Sequence, residues 1–197
     1  MVLEECLAVL KAGLPSIVRT GRARIQKEYD ENAEEGASIG AHLEYLLEEG
    51  VTTRFLTAAT ILAVWALYEA AVAELAQYVR EQQKLSLRLR DIRGGFLDQA
   101  RRYFADVLKV PLHPAAADWS RLSRIGQLRN VLAHTNGTLR DLSDQRRKDV
   151  ESLVKSIPGV AIVNDEYLVV SIGTAENALA FVKLILSDLV DRVRKAY

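Results

Sequence analysis

Residues 127–137 read Gln-Leu-Arg-Asn-Val-Leu-Ala-His-Thr-Asn-Gly. An arginine (Arg129), an amide (Asn130) and a histidine (His134) fall within one short stretch, just ahead of an Asn-Gly stop. Imidazole moves protons near neutral pH, guanidinium stabilises negative charge on oxygen, and an amide can orient either group. The chemistry such a set could perform is proton transfer at an anionic centre. Metal chemistry has less to build on. Cys6 is the sole cysteine, so there is neither an intrachain disulfide nor a cysteine-based zinc site, and no Asp-rich motif or Gly-rich phosphate loop stands in the chain.

The element that must position these residues is a helix over about 118–135, capped by Asp118 or Ser120 and ended by a left-handed Asn136-Gly137. At 100° per residue, Ser123, Gln127, Asn130 and His134 fall on one polar stripe, with Trp119 and Ser120 beside it. Leu122, Ile125, Leu128, Leu132 and Ala133 fall opposite. Arg129 sits on the apolar arc. The stripe is either an ordinary solvated face or, because its groups are short hydrogen bonders, the wall of a cleft or subunit seam. Arg129 is open to two readings as well. Glu69 lies on the inner face of a preceding helix and needs a partner if buried, so Arg129 is either its structural counter-ion or a functional cation. His134 occupies a last helical turn, where the helix dipole favours an imidazolium. It is a candidate acid–base group or a simple capping residue.

The remaining elements follow from pattern. Residues 3–12 and about 14–48 read as helical, with EYDENAEEG as a possible break. A long helix spans about 51–85, rich in alanine and leucine and free of proline and glycine. Arg93-Gly94-Gly95 forms a joint before a helix of about 95–108, and Pro111 and Pro114 enclose a loop. Asp141 or Ser143 opens a helix to about 156, closed by Pro158-Gly159. VAIVNDEYLVVSI then changes period and predicts a β-hairpin over about 160–171, which must lie on helices or on a partner. Thr174 caps a last amphipathic helix. The fold class is all-α: a single domain over 1–197, a bundle of about five to seven helices with a small hairpin near the C-terminus.

Composition bounds the function. Lysines and arginines number 26, as do aspartates and glutamates, which argues against wholesale coating of nucleic acid. The charge is unevenly spread: residues 1–50 hold 5 basic and 10 acidic side chains, and residues 80–140 hold 12 basic and 5 acidic. A basic middle can steer a polyanion locally. The apolar run FLTAATILAVWALY (55–68) has 14 residues, short of the roughly 20 a membrane span needs. The N-terminus lacks a basic region before its apolar run and does not read as a secretory signal. A cytoplasmic protein without membrane contact is expected.

The run Arg129-Asn130-Val131-Leu132-Ala133-His134 resembles the signature of the HEPN superfamily of helical ribonucleases: an arginine, often followed by a polar residue, then four to six residues to a histidine. AVWALYEAAVAEL (63–75) is similar to the helix that presents an aromatic residue and a glutamate inward in such proteins. The resemblance implies a homodimeric, metal-independent endoribonuclease with no cofactor. His134 and the second copy's His134 would share acid and base roles, Arg129 would stabilise the phosphorane, and Asn130 would orient imidazole or phosphate, with Glu69, Gln127 and Ser123 in support. The products implied are a 2′,3′-cyclic phosphate and a 5′-OH. A toxin or abortive-infection effector with a cognate antitoxin fits that picture. One toxin branch carries tyrosine two residues after the histidine; here it is Asn136, so regulation at that position is not implied.

Charge placement alone nominates Arg101, Arg102, Arg121 and Arg124 as RNA contacts, against surface ion pairs as the plainer role. The competing function is a catalytically inactive HEPN-like module that binds RNA or protein. A third is a small helical adaptor with no nucleic-acid role.

Overall fold

A computed structural model describes residues 51–197; the helices expected over 3–12 and 14–48 lie outside the described residues. The described chain is all-α with a small two-stranded antiparallel sheet near its C-terminus. In order come α1 (Val51–Gln82), a 3-10 turn (Leu89–Asp91), α2 (Phe96–Arg102) running into a π turn (Tyr103–Val107), α3 (Ala116–Thr135), α4 (Asp144–Ser156), β1 (Val160–Val163), β2 (Tyr167–Val170) and α5 (Ile172–Ala196). Contacts group these into two compact units. One holds the described part of α1 up to Thr60 together with Leu132–Glu176; the other holds Ile61–Val131 and Asn177–Tyr197.

The boundaries have local causes. Helix α1 stops at Gln82, earlier than expected, because Lys84 turns left-handed (φ 53°). Its N–H then reaches Glu81 O, and Leu85 N–H reaches back to Arg80 O at 2.9 Å, the paired bonds of a Schellman stop. Helix α3 begins at Ala116, two residues before the expected cap. Trp119 N–H already bonds Ala115 O, and Asp118 sits in the first turn, where its charge suits the dipole. Helix α5 begins at Ile172, so Ser171 rather than Thr174 is its cap. The Ser171 Oγ accepts the Thr174 N–H at 3.1 Å, the N3 bond of an N-cap.

In the second unit the core stripe of α1 is Ile61, Val64, Trp65, Tyr68, Val72, Ala76 and Val79, each at most 5% exposed. By length and composition α1 is sufficient to cross a membrane from Arg54 to Gln82, which the 14-residue apolar run alone was not. Phe55, Leu67 and Tyr78 of the same helix are exposed, and the buried stripe is one face of it. Leu122, Ile125 and Leu128 of α3 and Val182, Ile185, Leu189 and Val193 of α5 are buried with it. The π turn places two consecutive aromatics, Tyr103 and Phe104, in the core at 0% exposure. Leu108 N–H reaches Tyr103 O, five residues back, a wider turn than an α-helix makes. The Tyr103 hydroxyl donates to Leu87 O at 2.8 Å.

In the first unit Leu132, Leu139, Val150, Leu153, Val160, Leu168, Val170 and Ala175 are buried. The hairpin pairs Val160 with Val170 and Val163 with Tyr167. It turns through Asn164 and Asp165, both at φ 53°, with Glu166 N–H on Val163 O; two positive φ values in succession suit an Asn-Asp pair. The outer edge of β2 is not bare. Leu168 N–H bonds Gly137 O at 2.8 Å and Leu139 N–H bonds Glu166 O at 2.7 Å, so the segment after α3 acts as a third, very short strand.

Helices α1 and α3 approach closely at Gly126. A Cβ there would lie 2.6 Å from Trp65 Cη2 and 3.0 Å from Cζ3. The indole is buried, so it has little freedom to yield. Gly126→Ala is expected to lower stability by about 1–3 kcal/mol through overpacking. Gly95→Ala, where nothing lies within 4 Å, is expected to change it by less than about 0.5 kcal/mol. Urea unfolding of the two variants compares them directly.

Candidate functional site

The motif residues occupy the last two turns of α3. Leu122, Ile125, Leu128 and Leu132 are buried as the pattern required, whereas Ala133 is exposed and does not belong to the apolar side. On the stripe, Ser123 is half-buried and Gln127, Asn130 and His134 are exposed. Among the described residues, nothing covers three of the four stripe positions.

Arg129 does not pair with Glu69. Its Nη1 donates to Asn130 Oδ1 at 3.0 Å, which draws the half-buried guanidinium towards the polar stripe instead of the core. Glu69 is satisfied within its own helix: Trp65 Nε1 donates to Glu69 Oε1 at 2.8 Å. The carboxylate is itself half-exposed, so it is not the stranded buried charge that would have required an arginine. Asn130 accordingly orients Arg129, and its amide N–H groups stay available.

His134 closes the helix with no side-chain hydrogen bond among the described residues. The chain directly after it is firmly held. Asn136 and Gly137 turn left-handed (φ 52° and 74°), and Thr138 N–H bonds Thr135 O at 2.9 Å. Arg140 pairs with Glu166, and Arg147 donates to Asp165 O at the hairpin tip. A Cβ on Gly137 would sit 3.3 Å from Leu168 O, so glycine is needed there for both φ and space. The hairpin thus fixes the end of the motif helix.

The arginines nominated from charge mostly have internal duties. Arg121 donates to Asn177 O at 3.2 Å and lies 4.4 Å over the Phe181 ring, tying α3 to α5. Arg101 lies 5.1 Å over Trp119, tying α2 to α3. Arg102 donates to Asp98 O at 3.3 Å and to Arg93 O, bracing the Gly94 joint. Arg124 is half-buried and engaged. Their charges remain near the surface, but their stems and donors hold helices together.

One titratable pair escaped the sequence reading. His113 Nε2 and the Tyr68 hydroxyl lie 2.8 Å apart, with Trp119 6.4 Å from the imidazole, centroid to centroid. Burial first, and then the nearby Arg192 charge, push His113 down to about 4; burial likewise raises Tyr68 above its ordinary value. The signal was faint: a histidine between Pro111 and Pro114, 45 residues from its tyrosine. Among the described residues no three of His, Cys, Asp and Glu gather as metal ligands. No family model, curated protein or solved structure matches the chain.

Two outcomes follow. Without a Glu69 ion pair, Arg129→Ala is expected to cost under about 1 kcal/mol in urea unfolding, far below the roughly 3–5 kcal/mol for breaking a buried pair. His113 is held neutral in the folded chain but titrates near 6.5 when unfolded. Above that pH neither state binds the proton; as pH falls from 6.5 towards 4, the unfolded state gains it and stability drops. Comparing wild type with His113→Gln across this window is expected to remove that part of the pH dependence.

Proposed function

We propose that the chain is a metal-independent endoribonuclease acting as a homodimer. The observation that carries the reading is the end of α3: Arg129 turned outward and braced by Asn130, with His134 exposed one turn further on. These are the groups that the ribonuclease resemblance requires, in a position where a substrate can reach them.

In this reading one His134 takes the proton from a ribose 2′-OH, and the 2′-oxygen attacks phosphorus. The P–O5′ bond breaks as the second copy's His134 gives a proton to the leaving 5′-oxygen. The products are a 2′,3′-cyclic phosphate and a 5′-OH, and no water enters this step. Arg129 stabilises the charge that builds on the phosphorane oxygens. Each chain brings one imidazole at this position, so separate acid and base require a second copy. The wider assignment, a cytoplasmic toxin or abortive-infection effector restrained by an antitoxin, rests on the resemblance alone.

A second reading has its own support. Among the described residues His134 lacks the orienting hydrogen bond that a catalytic imidazole commonly receives, and three of the four nominated arginines serve internal contacts. These favour a catalytically inactive RNA- or protein-binding module.

Incubation with labelled RNA in EDTA separates the two. Cleavage by wild type with cyclic-phosphate ends, reduced about 100- to 10,000-fold in His134→Ala, supports the nuclease. RNA left intact at high protein concentration supports the binding module.

A further inference from the structure

Away from the motif, a cavity of about 490 Å³ opens beside the C-terminal half of α1. Three arginines line it: Arg80, Arg88 and Arg90. Ala73 and Leu89 give it apolar walls, with the buried Ala76 and Tyr103 behind them. No carboxylate is among its lining residues.

The two nearest acids each face one of these arginines and leave Arg90 unopposed. Asp91 accepts the Arg88 backbone N–H at 2.9 Å and its Nε and Nη2 at 3.1 Å each; these bonds hold the Asp91 carboxyl below the usual carboxylate range. They also close the 3-10 turn, so Arg88 and Arg90 are presented from a fixed loop. Glu81 accepts from Gln77 and stands 3.9 Å from Arg80 Nη2, at the edge of ion pairing. Arg80 Nε is occupied by Gln77 Oε1 at 3.2 Å. Arg90 makes no hydrogen bond or ion pair among the described residues.

We propose that this cavity binds a small organic phosphate. The phosphoryl group lies on Arg80 and Arg90, beside the Arg88–Asp91 pair, and the organic body lies against Ala73 and Leu89, above the buried Ala76 and Tyr103. Guanidinium forks match the oxygens of a dianionic phosphate better than a single carboxylate. The volume is within the roughly 300–1,000 Å³ of small-molecule sites. The apolar walls favour an ester over free phosphate. None of these residues belongs to the α3 motif, so the proposal does not rest on the ribonuclease reading.

Titration calorimetry on the full chain tests it with phenyl phosphate, inorganic phosphate and benzoate as probes. Phenyl phosphate is expected to bind more tightly than either of the others. Arg80→Gln and Arg90→Gln are each expected to weaken it about tenfold or more, and Ala73→Leu, which fills the cavity and leaves every arginine, is expected to abolish binding. Lys155→Gln on α4 should leave binding unchanged. The proposal is overturned if phenyl phosphate shows no saturable binding at millimolar concentration. It is equally overturned if phenyl phosphate binds no better than inorganic phosphate, or if the folded arginine variants, verified by circular dichroism, bind like wild type.

Discussion

The contact on which the second unit depends is the face of Trp65 laid against the bare backbone of Gly126. A large indole on one helix and a missing side chain on the next allow α1 and α3 to approach closely. The same indole sends its N–H to Glu69. One tryptophan therefore sets the spacing of two helices and satisfies a half-exposed carboxylate. With Glu69 provided for inside α1, Arg129 has no counter-ion to seek in the core and pairs with its neighbour Asn130 on the outside. The accessible arginine at the end of α3 is a consequence of packing one turn earlier, not of any special property of the motif.

How far the sequence reveals this depends on whether a feature is local. The long α1, the Gly94 joint, the stop at Asn136-Gly137 and the hairpin turn at Asn164-Asp165 were all legible, because composition, glycine or paired turn residues act over a few positions. The misplacements were also local but depended on competition among neighbours. Lys84 takes a left-handed conformation that glycine more often supplies, and Ser171 reaches the cap position before Thr174 does. Gly126 carries no local signal of its role, since its partner, Trp65, lies 61 residues away in sequence. The same distance problem hid the His113–Tyr68 pair. Helical phase put Arg129 on the apolar arc, yet a long side chain can leave the arc that its Cα occupies. Phase alone could not foresee the hydrogen bond that turns it.

The hairpin gains its meaning from the same reasoning. Two four-residue strands are too little to stand alone, and β2 would present an open edge. That edge is met by the residues just after α3, through two backbone hydrogen bonds. The hairpin tip is then fastened by Arg140 and Arg147. An exposed helix end would ordinarily fray. Here the chain after Thr135 is tied down on the strand side, which limits where the His134 ring can go even though no described side chain hydrogen-bonds the ring itself.

The polar stripe and the arginine-lined cavity differ in how much of their physics one chain supplies. The cavity sets Arg80 of α1 and the exposed Arg88 and Arg90 of the 3-10 turn beside apolar surface. A ligand entering it loses water to groups that are in place. Among the described residues the stripe has no such apolar surface beside it. Short polar groups facing bulk solvent contribute little to binding, because water competes for every donor, and the charge stabilisation that speeds phosphoryl transfer depends on excluding that water. A catalytic role at the end of α3 therefore requires another surface to close over it. A second copy of the helix would be such a surface and would bring the other imidazole; a bound partner that merely covers the stripe would not. The chemistry of the motif and the assembly state of the chain are thus a single question.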